Sequence, residues 1–415
     1  MSFVTGTYVG KITTRTHEGS VAHMGGRHAH STRTTAGTPP RVLIAVVPIL
    51  CVVIAAMVWL WPDSVPGQLP PDPGQQLSGT VTAIKAKPCP PASTGQGDTP
   101  GDQLGKPVCG NAEIRLGEGS ASRRVTAALP SGVGAPKLAV GDEVVVNYIA
   151  DTREDLRYQI IDYQRGFQLW VLLAAFSLAI LAFGRWRGLT ALAGLCITFA
   201  VVVLFVIPAI LGGRPPLLVA IVGSAAIVLT VLYLTHGLGR ATSVAVAGTL
   251  ASLTLTGVLS YVAVEATRLS GVADETSSLL GQLYGVNMRG LLLAGILIGS
   301  LGVLDDVTVT QAVTVQELAA ANPSYGFSEL YRAATRVGRA HIASVINTII
   351  LAYAGASLPL LVLITAIDNP VGQVLSEQLV ATELVRSAVG TIGLIAAVPI
   401  TTTLAALWAT HGRDA

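Results

Sequence analysis

Charged side chains are scarce in this chain. Asp, Glu, Lys and Arg make up only 12% of its 415 residues, whereas roughly a quarter of the residues in a typical soluble domain are charged. Hydrophobic residues make up 51%. This composition argues against an ordinary soluble domain, and we infer that water is not the main solvent of the chain.

Motifs for several kinds of chemistry are also missing. The formal net charge is only +2 and no basic block or interleaving of basic and aromatic residues occurs, which argues against a nucleic-acid partner. No Gly-x-x-x-x-Gly-Lys-Ser/Thr motif is present, so direct ATP hydrolysis by this chain is not expected. The 4 cysteines form no Cys-x-x-Cys pair, which argues against a zinc or redox site. We therefore predict neither a cofactor nor a metal.

Long apolar segments are abundant instead. A helix of about 20 apolar residues can cross the hydrocarbon core of a membrane. The chain contains eight such segments, approximately at 42–61, 167–184, 189–211, 216–235, 242–264, 291–315, 342–364 and 384–408. The first is too long for a secretory signal and follows a polar tail, so we interpret it as a retained span. These segments predict an all-α polytopic membrane bundle, with a first transmembrane helix at 42–61 and a seven-helix membrane domain at 167–408.

Basic residues are distributed unevenly between the connections. They cluster before the first span, after the eighth, and in the connections between spans two and three, four and five, and six and seven. Because Lys and Arg are retained on the cytoplasmic side, this bias places both termini in the cytoplasm. Residues 1–41 are then a disordered cytoplasmic tail, 409–415 a short cytoplasmic tail, and 62–166 an extracytoplasmic domain.

The extracytoplasmic region has the pattern of a small β domain. Its short β-like runs lie at 77–85, 112–116, 123–129, 143–149 and 158–163. Five short strands in this length predict a small closed, OB-like barrel. Cys89 and Cys109 bracket a Gly- and Pro-rich insert in this domain, and an oxidising exterior permits them to form a disulfide. Two unpaired thiols in a loop are the alternative, because spacing alone does not fix geometry.

The sixth apolar segment contains two adjacent acids, Asp305 and Asp306. An acid at membrane depth is energetically costly and usually has a functional or structural partner. At 100° per residue, Asp306 shares one helical stripe with three glycines. The glycines are Gly295, Gly299 and Gly302. Such a small-residue surface predicts close packing against a neighbouring helix, with Asp306 facing a protein contact and Glu317 extending the stripe towards the cytoplasm.

The same geometry argues against an intramembrane aspartyl protease. Two carboxylates that share a proton must face each other across a site, whereas the side chains of Asp305 and Asp306 diverge by about 100°. The acids nearest to other spans lie at the outer ends of those spans. They are Glu265, Asp368 and Glu383. We therefore predict that the chain is not an enzyme.

The seventh segment offers polar partners for these acids. His341, Asn347 and Thr348 fall within a sector of about 120°, together with a serine and a glycine. If spans six and seven run in opposite directions, His341 lies at the depth of Glu317, and Asn347 lies deeper, nearer the aspartates. Ordinary hydrogen bonding between helices is the alternative interpretation of these side chains.

Two runs in this region resemble the YibE/F family of bacterial multi-pass membrane proteins. They are GVLDDVTVTQAVTVQELAAANP and SELYRAATRVGRAHIASVINTIILAYAGASLPL. The family usually shows one aspartate where this chain has two, and Asp306 matches it better than Asp305. The resemblance implies a multi-pass protein of the bacterial plasma membrane, and it leaves the activity open.

Two functions remain open at this point. The first is a secondary transporter or permease of unknown substrate, with Asp306 as an ion or proton site and Asp305 as a further candidate for that role. Glu317 and His341 would then form an inner relay, and Asn347 and Thr348 would act as substrate or structural ligands. The second is a non-transporting assembly or regulatory protein whose outer domain binds an envelope partner. The predicted partners are the bilayer and a small solute or ion, and the oligomeric state is left open.

Overall fold

A computed structural model describes most of the chain. The described ranges are 40–62, 74–88, 108–117, 122–130, 135–150, 152–153, 157–273, 275–366 and 371–411. Nearly all of the predicted N-terminal tail, and Cys89 with most of the insert that follows it, lie outside these residues. Within them the chain forms a helical bundle and a small β-barrel.

Helices account for most of the described residues. They are α1 (Pro40–Leu60), α2 (Gly166–Val201), α3 (Ile207–Leu211), α4 (Pro216–His236), α5 (Arg240–Ala266), α6 (Glu275–Tyr284), α7 (Met288–Ala321), α8 (Phe327–Ala356), α9 (Leu358–Ala366), α10 (Val371–Ser376) and α11 (Gln378–His411). A π-helical turn, Val202–Val206, joins α2 to α3. The amphipathic helix α6 and the short helix α10 were not expected from the sequence.

Six helical segments among the described residues are long and apolar enough to cross a membrane. One of them, Gly166–Leu211, contains two of the predicted spans. It is interrupted at Arg185, where the backbone adopts φ 52° and ψ −125°. A Cβ at Gly188 would lie 2.5 Å from the carbonyl oxygen of Ile180, although residues eight apart in a straight helix are separated by about 12 Å. The chain therefore bends sharply back at Arg185. The total of eight membrane spans stays a prediction.

The predicted seventh span differs from the helix that forms there. It was expected at 342–364, but α8 begins at Phe327 and ends at Ala356. The side chain of Glu329 accepts a hydrogen bond of 2.9 Å from the backbone N–H of Gly326, which satisfies a free donor at the start of this helix. At the other end, Ser357 interrupts the helix with φ −91° and ψ 7° before α9 begins.

Helices α5, α7 and α11 form the centre of the bundle. Glycines allow their close approach, because Gly248 of α5 packs on Thr401 of α11 and Gly393 of α11 packs on Thr256 of α5. Without a hydrophobic drive between helices in lipid, such small-residue contacts are a main source of association. Leucines and valines from the same helices fill the remaining space around these contacts.

The long helices run in alternating directions between two ends of the bundle. At one end, Arg289 Nη2 lies 2.6 Å from Glu265 Oε2 and joins the start of α7 to the end of α5. At the other end, the starts of α5 and α8 pack against the ends of α7 and α11 through a separate apolar cluster. The end of α1 lies at the first end, because Leu60 shares an apolar cluster with Met288 at the start of α7. The barrel is inserted between the end of α1 and the start of α2, so it belongs to the first end. The arginine-rich face of α8, with Arg332, Arg336 and Arg339, belongs to the second.

The β region forms a closed barrel, as the sequence predicted. Its strands are β1 (Gly74–Pro88), β2 (Val108–Leu116), β3 (Arg123–Ala128), β4 (Glu143–Ile149) and β5 (Tyr158–Tyr163). The order around the barrel is β1-β2-β3-β5-β4. Strand β1 is longer than expected because it bends at a bulge between Val81 and Ala83, which lets it pair with both β2 and β4. Strand β5 leads into α2 through only two residues, Gln164 and Arg165.

Candidate functional site

Asp306 lies near the middle of the 34-residue helix α7, and its side chain is 68% exposed in the isolated chain. It does not face a closely packed neighbouring helix. Among the described residues, no atom lies within 4 Å of a Cβ placed at Gly295 or Gly302, and Gly299 meets only the hydroxyl of Tyr353, at 3.7 Å. Among the described residues, the predicted helix-packing surface is therefore reduced to one contact, at Gly299, and Gly295 and Gly302 meet no neighbouring helix.

The opposite face of α7 makes the helix contacts instead. It carries the fully or nearly fully buried residues Ile296, Leu297, Leu304 and Val307. These larger apolar side chains pack against α4, α5 and α11 in two apolar clusters, so they turn the glycine stripe outward. The expectation that α7 lies inside the bundle thus applies to only one of its faces.

His341 of α8 is an ionisable side chain next to Asp306. Its Nε2 lies 3.8 Å from Asp306 Oδ2, and 34% of the His341 side chain is exposed. This separation is too long for a direct hydrogen bond, and Nε2 has no hydrogen-bond partner among the described residues. The sequence placed His341 at the depth of Glu317, and that prediction is wrong. Glu317 lies eleven residues further along α7, about 16 Å along the helix axis.

Within the described part of the chain, the other predicted site residues make no hydrogen bond or ion pair with Asp306 or His341. Asp305 is half-buried, and its carbonyl oxygen accepts a hydrogen bond of 3.0 Å from Thr308 Oγ1. Asn347 and Thr348 are exposed on α8, and Thr348 Oγ1 donates to the carbonyl oxygen of Ser344 at 3.1 Å. Among the described residues, no hydrogen bond joins Asn347 or Thr348 to either aspartate. Glu317 is likewise exposed.

Tyr353 is a site residue that the sequence reasoning missed. Its hydroxyl approaches the position of Gly299, so the side chain of α8 covers part of the glycine stripe of α7. The stripe, His341 and Tyr353 thus form one exposed surface, which we call the α7–α8 polar face. The signal that could have revealed Tyr353 is the Ala-Tyr-Ala-Gly run that contains it.

A second polar group lies on the buried face of α7. Gln311 is 0% exposed, and its Oε1 accepts a hydrogen bond of 3.0 Å from Thr402 Oγ1 of α11. Its Nε2 packs on Gly338 of α8 and has no hydrogen-bond partner among the described residues. One turn away, the hydroxyls of Thr308 and Thr249 lie 2.6 Å apart. A glutamine in the middle of an apolar span was the signal that could have revealed this contact.

The cysteines and possible metal ligands add little to this site. Cys109 is disulfide-bonded, but Cys89 lies outside the described residues, so their pairing stays a prediction. Cys51 and Cys196 are free thiols. No group of three or more His, Cys, Asp or Glu side chains that could hold a metal ion occurs in the described part of the chain. The chemistry of the α7–α8 polar face is therefore that of one carboxylate, a neighbouring imidazole and a phenol.

Comparison with known proteins identifies the membrane domain. The profile of a family described as YibE/F-like protein matches residues 172–411, which is more than half of the chain. This match includes α7, α8 and both polar groups described above. No curated protein matches the chain, and no solved structure matches it.

Proposed function

We propose that this chain, which belongs to the YibE/F-like family, is a secondary transporter or permease of the bacterial plasma membrane. In this proposal Asp306 binds an ion or a proton, and His341 is its partner. The observation that carries the proposal is the exposure of a carboxylate near the middle of a membrane-spanning helix, 3.8 Å from an imidazole. The substrate is a small solute or ion.

Energetics supports an aqueous environment for Asp306. An aspartate at the centre of a membrane helix disfavours insertion by roughly 3 kcal/mol on translocon scales, so such residues usually face a bundle interior or a water-filled cavity. Asp306 does not face the bundle interior of this chain, because 68% of its side chain is exposed. A polar pathway along the α7–α8 polar face would hydrate the carboxylate and give ions access to it.

The interruption after α8 also supports transport. Helices α8 and α9 are separated only by Ser357, and the break falls within the apolar segment that was expected to form one span. Broken helices at membrane depth are tolerated where the backbone lines a cavity or is buried in protein, and transporters use them to bind ions. In this proposal, Asn347 and Thr348 provide ligands on α8, and Glu317 connects Asp306 to the arginine-rich end of the bundle.

A second candidate function is assembly or regulation through the barrel. The observation that favours it is the two-residue link between β5 and α2, because a partner bound to the barrel would act directly on a membrane helix. The strand order supports an OB-like barrel, since OB folds are five-stranded Greek-key barrels whose loops and strand faces bind ligands. We propose an extracytoplasmic location for this domain, on the basis of the arginine distribution.

Complementation of a strain that lacks the protein separates these two functions. We expect wild-type protein and Asp305→Asn to restore its ion and metabolite contents, and Asp306→Asn to fail at equal membrane abundance. Full restoration by Asp306→Asn would contradict the transport proposal. If deletion of residues 75–163 abolishes the phenotype while Asp306→Asn only lowers abundance, the assembly function is favoured.

A further inference from the structure

A groove lies where the barrel meets the first turns of α2. Its volume is about 670 Å³, within the usual range of ligand sites. One wall is polar and includes Asp142, Glu143 and Gln164, and the other wall is apolar and includes Phe167 and Leu172. None of these residues belongs to the α7–α8 polar face.

The polar wall is held in place by hydrogen bonds on both sides. Asp142 Oδ2 accepts a bond of 2.7 Å from the backbone N–H of Ala139, which fixes the turn before β4. The backbone N–H of Gln164 donates to the carbonyl oxygen of Glu143 at 2.8 Å. The hydroxyl of Tyr163 donates to the carbonyl oxygen of Lys137 at 2.6 Å. The groove is thus formed by a fixed turn and a fixed strand-to-helix junction.

The charge in the groove is unbalanced. Arg165 lines it, but its Nη2 donates to Asp162 Oδ1 at 2.8 Å, and its guanidinium lies 5.7 Å from the centre of the Tyr163 ring. The hydrogen bond from Arg165 holds the pKa of Asp162 below its usual value, so this pair stays ionised and mutually neutralised. The carboxylate of Glu143 has no partner among the described residues, and one oxygen of Asp142 remains available. The polar wall therefore favours a cation.

The apolar wall continues along α2, which belongs to a helical segment long and apolar enough to cross a membrane. Phe167 is 75% and Leu172 66% exposed, and Trp170 on the same turns is 71% exposed. Aromatic residues are enriched at the level of lipid headgroups. An acyl chain that follows Leu172 would pass along the apolar surface of α2, with its headgroup beside Glu143.

We propose that this groove binds an amphiphile with a primary ammonium headgroup, namely an aminophospholipid from the leaflet on the barrel side. The ammonium group donates charge-assisted hydrogen bonds to Glu143 and Asp142, and the acyl chain packs on Phe167 and Leu172. The site does not depend on transport by the bundle. A free soluble amine has the same ammonium group as the lipid headgroup but lacks the acyl chain.

Lipid competition on the purified full chain tests this proposal. We place the protein in nanodiscs of phosphatidylcholine with a trace of fluorescent phosphatidylethanolamine, and measure energy transfer from tryptophan to that lipid. Unlabelled phosphatidylethanolamine should displace the probe at lower concentration than phosphatidylcholine or phosphatidylglycerol. Glu143→Gln should weaken this preference by about tenfold, because it removes a charge-assisted hydrogen bond.

Matched controls distinguish the sources of the amine. Glu113→Gln removes a barrel carboxylate outside the groove, where Glu113 pairs with Lys85 at 2.6 Å, and should leave the lipid preference unchanged. Glycerophosphoethanolamine, which has the headgroup but no acyl chain, should compete weakly. Equal displacement by all three lipids, an unchanged preference in Glu143→Gln, or competition by glycerophosphoethanolamine as strong as by the lipid would overturn the proposal.

Discussion

The two faces of α7 carry polar residues for different reasons. On the buried face, Gln311 and Thr308 contact α11 and α5 directly, and their hydrogen bonds close the space between packed helices. On the outward face, Asp306 and the glycines contact few atoms of this chain. The comparison indicates that the buried polar residues stabilise the bundle. On the outward face, Asp306 has His341 at 3.8 Å, and in our proposal it binds a ligand from outside the chain.

The largest expected effect is a loss of function without a loss of folding. Asp306→Asn removes the charge and keeps the shape, so we expect it to abolish complementation. Because the side chain is exposed, the change in the free energy of unfolding should stay within about 0.5 kcal/mol. Growth complementation and thermal unfolding of the detergent-solubilised protein measure the two effects. A large drop in melting temperature would mean that Asp306 is structural.

Glycine substitutions should separate the two faces by stability. Gly248→Leu places a side chain against Thr401 in the packed centre, and overpacking of this kind typically costs about 1–3 kcal/mol or more. Gly302→Leu is the matched variant on the outward face, where nothing lies within 4 Å of a Cβ. We expect size-exclusion profiles to show loss of folded protein for Gly248→Leu only. Equal loss in both variants would indicate that the outward stripe is also a packing surface.

The hydrogen bond between Gln311 and Thr402 should contribute a smaller amount. Gln311→Leu, Thr402→Val and the double variant form a double-mutant cycle, and we expect a coupling energy of about 0.6 kcal/mol, the average for such bonds in a membrane bundle. Reversible unfolding in mixed micelles gives the required free energies. No coupling would show that the two side chains contribute independently.

Helix positions could be predicted from the sequence more closely than helix contacts. The expected span 216–235 became Pro216–His236, because its length, a proline at its start and a glycine after its end all mark the same helix. The face of α7 could not be predicted in this way. Periodicity shows which residues share a stripe of the helix. It does not show which stripe packs against other helices, because the glycine stripe and the leucine-rich stripe both fit a packing pattern. Only the positions of α4, α5 and α11 decide between them.

Only part of the candidate site could be predicted from the sequence, and the reason is similar. Asp306 and His341 were both identified from their residue types in apolar segments, but their pairing was not. The axial offset between α7 and α8 depends on where α8 begins, and the apolar segment predicted at 342–364 starts fifteen residues after Phe327, the first residue of α8. The closed barrel was predicted because five short β-like runs follow one another in a short stretch of chain, whereas the full length of β1 depends on a bulge that pairs it with two neighbours.

Cysteine accessibility tests the central claim most directly, which is that the outward face of α7 is in contact with water. In a background with all 4 native cysteines replaced by serine, single cysteines are introduced at Gly302, Asp306, Ser300 and Leu178, and membrane vesicles are treated with a charged thiol reagent. Ser300 is 7% exposed on the buried face of α7, and Leu178 is 67% exposed on the apolar helix α2.

We predict rapid labelling of Gly302→Cys and Asp306→Cys. Ser300→Cys and Leu178→Cys should not be labelled, because thiolates do not form in lipid or in a packed core. If Gly302→Cys and Asp306→Cys are as unreactive as Leu178→Cys, the face meets lipid or another protein, and the proposed pathway is wrong.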